Sequence, residues 1–439
     1  MIVVTGTGIV SAIGTNTPEV ARALLADTNG IAPVRFLETQ HRQMPVGEVK
    51  LSNEDLAQRL GVPCTSQTSR TTLLGTLALR EALAMAGIGS EQLADVALVS
   101  STTVADMDCA ERCFDAAQSC NSLGDCGRST DEMVQHIGPF GFVTTCSTAC
   151  SSAANAFILG ANLLRSGRFK QVVVGGTECL SRFHFNGFRS LMILDGEPCR
   201  PFDDTRAGLN LGEGAAFVVL ETAENAAQRG AEALAELSGW GNACDAFHQT
   251  ASSDDGIGAV LSMRQALQRA GLKPADIDYV NAHGTGTPNN DASESVALRS
   301  VFGENVPPVS STKSRTGHTT SASGSIESVI CLLAMRQGFI PSNLNWQKAM
   351  ADGIVPVAQT LREQQLRHVL CNSFGFGGND TSLVFSAPPT SNTRSDELTK
   401  GANVLPKGST QFNISPSCRR ASVRVPSPTV ATSSHNSLR

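Results

Sequence analysis

Three observations predict an α/β fold with mainly buried sheets. Short β-branched runs alternate with longer helical patterns through the first 390 of the 439 residues. The strand runs are nearly continuous in apolar residues, as in sheets covered on both faces. The element order of the first part is repeated in the second, which points to two related halves that meet near residue 230.

Residues 2–5 read as a strand ending in the turn Gly6-Thr7-Gly8. A helix opens at Thr17-Pro18-Glu19 and runs to Leu25, with Thr17 as N-cap and Pro18 in the first turn. Residues 70–86 carry Leu73, Leu74, Leu77 and Leu83 at helical spacing and stop at Gly87. Residues 96–100 form a buried strand and 151–164 a helix of small residues. A strand at 172–174 runs into Gly175-Gly176; another at 217–220 precedes a helix at 223–230. The second series has strands at 234–240, 277–281 and 309–311, and helices at 258–270, 292–301 and 325–337. The strand pair 369–372 and 382–385 flanks Gly375-Phe376-Gly377-Gly378.

Composition narrows the function classes. Apolar residues make up 41% and charged residues 17%, an ordinary globular balance. No apolar run approaches the ~18–20 residues of a membrane span. The first residues lack the basic and apolar regions of a signal peptide. A net charge of −6 with only 18 Phe, 2 Trp and 1 Tyr does not suit a general nucleic-acid binder. Thirteen scattered cysteines do not read as a disulfide framework, so a reducing compartment, the cytoplasm, is expected. Residues 391–439 hold seven basic and two acidic side chains, leaving −11 on the first 390. With ten serines and almost no apolar periodicity, this tail reads as a disordered extension, 389–439, following two halves, 1–230 and 231–388.

Four segments carry chemistry. Thr144-Thr145-Cys146-Ser147-Thr148-Ala149-Cys150-Ser151-Ser152 precedes the small-residue helix. A thiol at a helix N-terminus faces unpaired N–H groups and the positive dipole end, which favour the thiolate. Cys150 is the candidate nucleophile; Cys146, a turn upstream, is its rival, and a buried structural cysteine is the plainer reading. In the second segment, Asn281-Ala282-His283-Gly284-Thr285-Gly286-Thr287-Pro288, a histidine stands at the carboxyl end of an apolar strand. Open α/β sheets put reactive groups there. The third segment, Ser311-Thr312-Lys313-Ser314-Arg315-Thr316-Gly317-His318, leads into a helix with Glu327. A charged lysine close to the histidine would favour neutral imidazole. The fourth, Asn372-Ser373-Phe374-Gly375-Phe376-Gly377-Gly378-Asn379, lets backbone approach a ligand but lacks the spacing and lysine of a phosphate loop.

Taken together, these segments resemble the β-ketoacyl synthase family of the thiolase superfamily over roughly residues 1–387. The resemblance includes Val4-Thr5-Gly6-Thr7-Gly8, Gly175-Gly176-Thr177-Glu178, Arg200-Pro201-Phe202-Asp203 and Gly212-Glu213-Gly214-Ala215. It implies a thiolase-like fold of duplicated αβαβα halves and a decarboxylative Claisen condensation. Cys150 would take the primer acyl group from a carrier-protein thioester. His283 and His318 would assist decarboxylation of a malonyl thioester and stabilise the enolate. The backbone N–H groups of Cys150 and Phe376 would hold the oxyanion, with the Phe376 ring as a gate. Lys313 and Glu327 would be a supporting ion pair. Thr285 and Thr287 would bind the pantetheine arm. The partners implied are an acyl carrier protein and an identical or related synthase subunit; no cofactor or metal is implied.

Three other readings compete. A thiolase-type enzyme would use a second cysteine near the C-terminal turn, where Cys371 stands. A chain-length partner subunit would lack the nucleophile, and a carrier-binding scaffold would lack the triad. This chain also departs from the family in places. Asn379-Asp380 stands where the family usually has Thr-Asn. The stretch from Gly187 to Arg200 is short for housekeeping fatty-acid enzymes and resembles synthases of aryl-polyene or flexirubin pathways. Cys109, Cys113, Cys120 and Cys126 do not match a zinc spacing and suggest a variable loop near the substrate pocket and dimer surface. Arg70 and the cluster Arg165, Arg168 and Lys170 are candidate carrier-protein contacts. Truncation after Ala387 is expected to leave turnover intact; a folded but inactive truncate would show that the tail takes part.

Overall fold

The computed structural model describes residues 1–117 and 125–388; the tail from 389, Cys120 and Cys418 lie outside the described residues. The main sheet has ten strands. These are β1 (Ile2–Val10), β2 (Val96–Ser101), β3 (Phe142–Cys146), β4 (Gln171–Glu178), β5 (Gly214–Thr222), β6 (Ala235–Cys244), β7 (Tyr279–Asn281), β8 (Val309–Ser310), β9 (His368–Gly375) and β10 (Asn379–Ser386). The helices are α1 (Thr17–Leu25), α2 (Asn53–Leu60), α3 (Arg70–Ala86), α4 (Met107–Asp115), α5 (Arg128–Ile137), α6 (Ser152–Arg165), α7 (Arg182–Ser190), α8 (Ala223–Gln228), α9 (Ile257–Ala270), α10 (Pro288–Phe302), α11 (Lys313–Thr316) and α12 (Ser323–Gln337). None of the described helices is long and apolar enough to cross a membrane.

The sheet order is β8-β7-β9-β10-β6-β1-β5-β4-β2-β3. A seam joins two runs of five strands, where Val3 and Val4 of β1 face Glu236 and Ala235 of β6. Outward from the seam both runs repeat one pattern. β1–β5 and β6–β10 are antiparallel, as are β5–β4 and β10–β9. β4–β2, β9–β7, β2–β3 and β7–β8 are parallel. Each strand of the first run therefore has its counterpart five strands later, the duplicated layering of a thiolase-like α/β fold.

Strand alternation distributes the core. Val218 of β5 faces inward with Phe157 of α6, Ile326 and Val329 of α12, and Phe385 of β10. Its neighbours Phe217 and Val219 face outward with Leu73, Leu74 and Ala78 of α3. On the second run, Val260 and Met263 of α9 and Leu298 of α10 cover Val280, Leu370 and Val384. The two five-stranded runs stack as two sheets, giving layers of helix, sheet, helix, sheet and helix, with α6 and α12 between the two runs. Each large side chain buried this way contributes about 1.5–3 kcal/mol relative to exposure.

Several local expectations are corrected. Asn16, not Thr17, caps α1, accepting the Glu19 N–H on Oδ1 at 2.9 Å. Gly6 and Gly8 lie inside β1 rather than in a turn. They are packing residues: a Cβ on Gly8 would stand 2.0 Å from the Ala78 carbonyl oxygen of α3. β4 continues through Gly175-Gly176 to Glu178. Arg70 is buried, and its guanidinium is held by Glu213 at 2.6 Å, by Asn53 and by the Leu51 carbonyl, so it offers no docking charge. Arg165, Arg168 and Lys170, by contrast, are exposed, at or beyond the C-terminal end of α6. At 1.5 Å per residue that end is about 20 Å from the Cys150 end.

Candidate active site

β3 ends at Cys146, and the chain turns sharply before α6. Ala149 has φ 53°, and Ser152 Oγ accepts the Thr148 N–H at 2.8 Å while donating to the Ala149 carbonyl at 2.6 Å. This elbow lifts Cys150 to the N-terminal end of α6, where it is 4% exposed. Cys146 remains at the strand end, half-buried, and does not line the cavity above Cys150.

His283 follows β7, and a residue not anticipated from sequence fixes its turn. Glu294 of α10 accepts the His283 and Gly284 backbone N–H groups at 2.9 and 2.7 Å. Lys313 opens α11 after β8, and His318 precedes α12 in a turn anchored by its own N–H on the Asn210 carbonyl at 2.7 Å. Phe376 sits in the hairpin between β9 and β10.

These separate segments converge. His318 Nε2 lies 3.1 Å from Cys150 Sγ, and its Nδ1 lies 3.0 Å from Ser323 Oγ. The His283 and His318 rings meet edge to face, centroids 5.2 Å apart. Lys313 Nζ is 3.3 Å from His283 Nδ1 and is also bonded to Glu327. Thr285 and Thr287 Oγ1 are 2.9 Å apart. Phe188 stacks on Phe376 at 5.8 Å, and Phe374 leans on His283 at 5.7 Å. All three phenylalanines, with Ile193 and Leu209, line a cavity of about 300 Å³ whose polar wall holds Cys150, His283, His318, Thr285 and Thr287. Lys313 and Glu327 lie behind that wall, both buried.

Burial governs the protonation states. It pushes the proton affinities of His283 and His318 well below the ordinary imidazole range, and the Lys313 charge lowers them further. Both rings are neutral. The expectation of a thiolate at Cys150 is corrected. Burial pushes the thiol up to about 11, and the opposing effects of Lys313 and of the Phe376 N–H facing the sulfur do not cancel it. A helix end supplies partial charges; a fully buried site with neutral imidazoles removes more solvation than these return. Burial likewise raises Glu327 to about 7 against the opposing pull of Lys313, and Glu294 to about 7. Cys371 lies in β9 within the core beside Cys331 and does not line the cavity.

A buried thiol and two neutral imidazoles at the floor of a largely apolar cavity, with hydroxyls along its wall, suit acyl transfer through a covalent thioester. Comparisons agree with that chemistry. Residues 1–226 match the beta-ketoacyl synthase N-terminal domain and residues 234–347 the beta-ketoacyl synthase C-terminal domain. The chain is 31% identical over 404 residues to nodulation protein E of Rhizobium meliloti, covering 88% of this chain and 98% of that one. It is 31% identical over 406 residues to 3-oxoacyl-[acyl-carrier-protein] synthase 2 of Synechocystis, covering 88% and 97%. Among solved structures, the ishigamide ketosynthase/chain length factor superposes with a TM-score of 0.82 at 30% identity, covering 88% and 99%. Fold and cavity together define an acyl-transferring condensing enzyme. The chain belongs to the β-ketoacyl synthase family.

Asp380, where the family usually has Asn, is buried and abuts Gly258 together with Asp245. Burial, then Asp245 and Glu294, push its carboxyl from an ordinary 3.8 up to about 8. Between those values the folded chain keeps a proton that the unfolded chain has lost, so stability falls as pH rises through this window. Asp380→Asn is expected to raise the melting temperature at pH 8.5 by about 2 °C or more, with a much smaller gain at pH 5. Differential scanning fluorimetry at both pH values checks this; a gain independent of pH would refute it.

Proposed function

We propose that the protein condenses an acyl group held on Cys150 with a malonyl thioester carried by an acyl carrier protein, releasing CO2. The observation that carries this reading is the 3.1 Å approach of His318 Nε2 to Cys150 Sγ with His283 beside it on the same cavity wall. Cys150 rests as a thiol, so its proton must leave as it attacks. Neutral His318 accepts that proton on Nε2 and passes it to the departing pantetheine thiol. The Ser323 hydroxyl can donate to or accept from Nδ1, so either tautomer of His318 is satisfied.

The second half-reaction uses both rings as donors. An ammonium group can only donate, so Lys313 requires His283 Nδ1 to be the acceptor and leaves the proton on Nε2. His318 shifts to its Nε2–H tautomer, which Ser323 accommodates by donating to Nδ1, and Nε2–H of both rings then stabilises the malonyl thioester oxygen as CO2 leaves and the enolate forms. The enolate carbon attacks the acyl-Cys150 carbonyl, the N–H groups of Cys150 and Phe376 hold the oxyanion, and the sulfur leaves, taking up the one proton the condensation consumes to restore the resting thiol. Thr285 and Thr287 flank the channel for the pantetheine arm, and the Phe188–Phe376 stack closes over the acyl group. Arg206, whose guanidinium bonds the Pro288 carbonyl at 2.8 Å and faces buried Asp291 at 3.8 Å, braces the wall that carries Thr287.

In this reading the halves 1–230 and 231–388 each contribute one side of the site, and the working assembly is a dimer with an identical or related synthase chain. The similarity to a ketosynthase/chain length factor supports a related partner. The nucleophile and both histidines support this chain as the catalytic member. The described cysteines are free thiols, which supports the cytoplasm.

Incubation with malonyl and varied acyl carrier proteins, read by intact mass, tests the reading. Cys150→Ala is expected to abolish the acyl-enzyme; an adduct on another cysteine would refute the assignment. His283→Ala is expected to lower malonyl decarboxylation by about 10²–10³-fold while acylation of Cys150 falls far less, since His283 does not contact the sulfur. Equal loss in both half-reactions would remove its role.

A further inference from the structure

The two backbone N–H groups assigned to the oxyanion come from distant parts of the chain. Cys150 stands in the elbow before α6, and Phe376 in the hairpin between β9 and β10. Their spacing must match one carbonyl oxygen, yet no covalent geometry sets it. One side chain ties the two together. Asn379 begins β10, directly across from Gly375 at the base of the hairpin. Its Oδ1 accepts from Ser151 Oγ at 2.7 Å, from Asn155 Nδ2 at 2.8 Å and from Asn242 Nδ2 at 3.0 Å.

Ser151 is the residue after Cys150, and Asn155 stands one turn further along α6. Both also grip Thr148 in the elbow: the single Ser151 O–H is shared between Asn379 Oδ1 and the Thr148 carbonyl at 2.8 Å, and Asn155 Nδ2 donates to Thr148 Oγ1 at 2.9 Å. Asn242 of β6 braces the hub from the neighbouring strand and reaches Thr381 of β10 at 2.8 Å. The two backbones are already in contact here, since a Cβ on Gly375 would stand 3.0 Å from the Thr148 carbonyl oxygen. An asparagine is long enough to span this contact; the threonine usual in the family has a shorter reach and no carboxamide.

We propose that Asn379 is a positioning residue that holds the Cys150 elbow and the Phe376 hairpin in register as the two sides of one oxyanion hole. It touches neither substrate nor sulfur and acts through the two N–H groups. The proposal rests on the reading of Cys150 as the acylated nucleophile.

Acyl transfer needs the oxyanion hole, whereas alkylation of the same thiol by iodoacetamide forms no oxyanion. The full chain is assayed with octanoyl-pantetheine and acetyl-pantetheine for acylation of Cys150, by intact mass against time, and separately with iodoacetamide. Asn379→Leu keeps the shape but removes the acceptor. Asn379→Asp keeps an acceptor for all three bonds, which end on a single oxygen. The Leu variant is expected to acylate about 10- to 100-fold more slowly at saturating thioester, with KM and the alkylation rate within about twofold of the parent. The Asp variant is expected to restore most of the acylation rate. Acylation and alkylation falling in parallel in the Leu variant, acylation unchanged in it, or failure of the Asp variant to rescue would each overturn the positioning role. A parent chain that alkylates at Cys150 but is acylated by neither thioester would instead overturn the nucleophile reading, and this proposal with it.

Discussion

Gly324 of α12 lies so close to α6 that a Cβ there would stand 2.6 Å from the Ala154 nitrogen. This contact sits between the two sheets, where α12 is buried from Ser323 to Ala334 and the N-terminal half of α6 is mostly buried with it. Because the helices touch near their N-terminal ends, the turns that precede them are forced together. Cys150 precedes one helix and His318 the other, so the 3.1 Å approach of sulfur to ring follows from helix packing. The second sheet then brings His283 from the end of β7 and Phe376 from the β9–β10 hairpin to the same point. The seam between β1 and β6 sets how the two runs of strands present those ends.

The same enclosure decides the electrostatics. Water is kept from both imidazoles and from the thiol, so all three rest uncharged, with the buried Lys313–Glu327 pair behind them. A neutral thiol beside a neutral base exchanges a proton only when substrate arrives. Neutral imidazoles can donate to an enolate, and a buried cation behind them keeps them neutral. Replacing Lys313 by an uncharged residue would therefore both free the His283 tautomer and leave Glu327 buried without its counter-ion.

Much of this was legible from residue order. The long periodic helix 70–86 was read to its ends, because its apolar spacing and Gly87 stop are local signals. Cys150, His283, Lys313, His318 and Phe376 each stand at a strand end or glycine turn that the sequence marks. Shorter helices were missed. α2 is opened by a Ser52–Asp55 capping box, a local signal, while α4, α5 and α7 are short segments with mixed composition. Arg70 looked like a surface charge because nothing nearby in sequence announces Glu213, 143 positions away. The roles of Glu294, Ser323 and Phe188, and the hub at Asn379, are not legible for the same reason: their partners are close only after folding.

By itself, the sequence determined which residue types are available, the alternation of strands and helices, and the turns that expose a cysteine and two histidines. It could not determine their protonation or their mutual geometry. Periodicity and turn chemistry act over a few residues, whereas burial and the meeting of α6 with α12 depend on contacts across hundreds. The helix dipole argued for a thiolate at Cys150; only the tertiary structure, by desolvating the sulfur and surrounding it with neutral rings, made it a thiol awaiting a base.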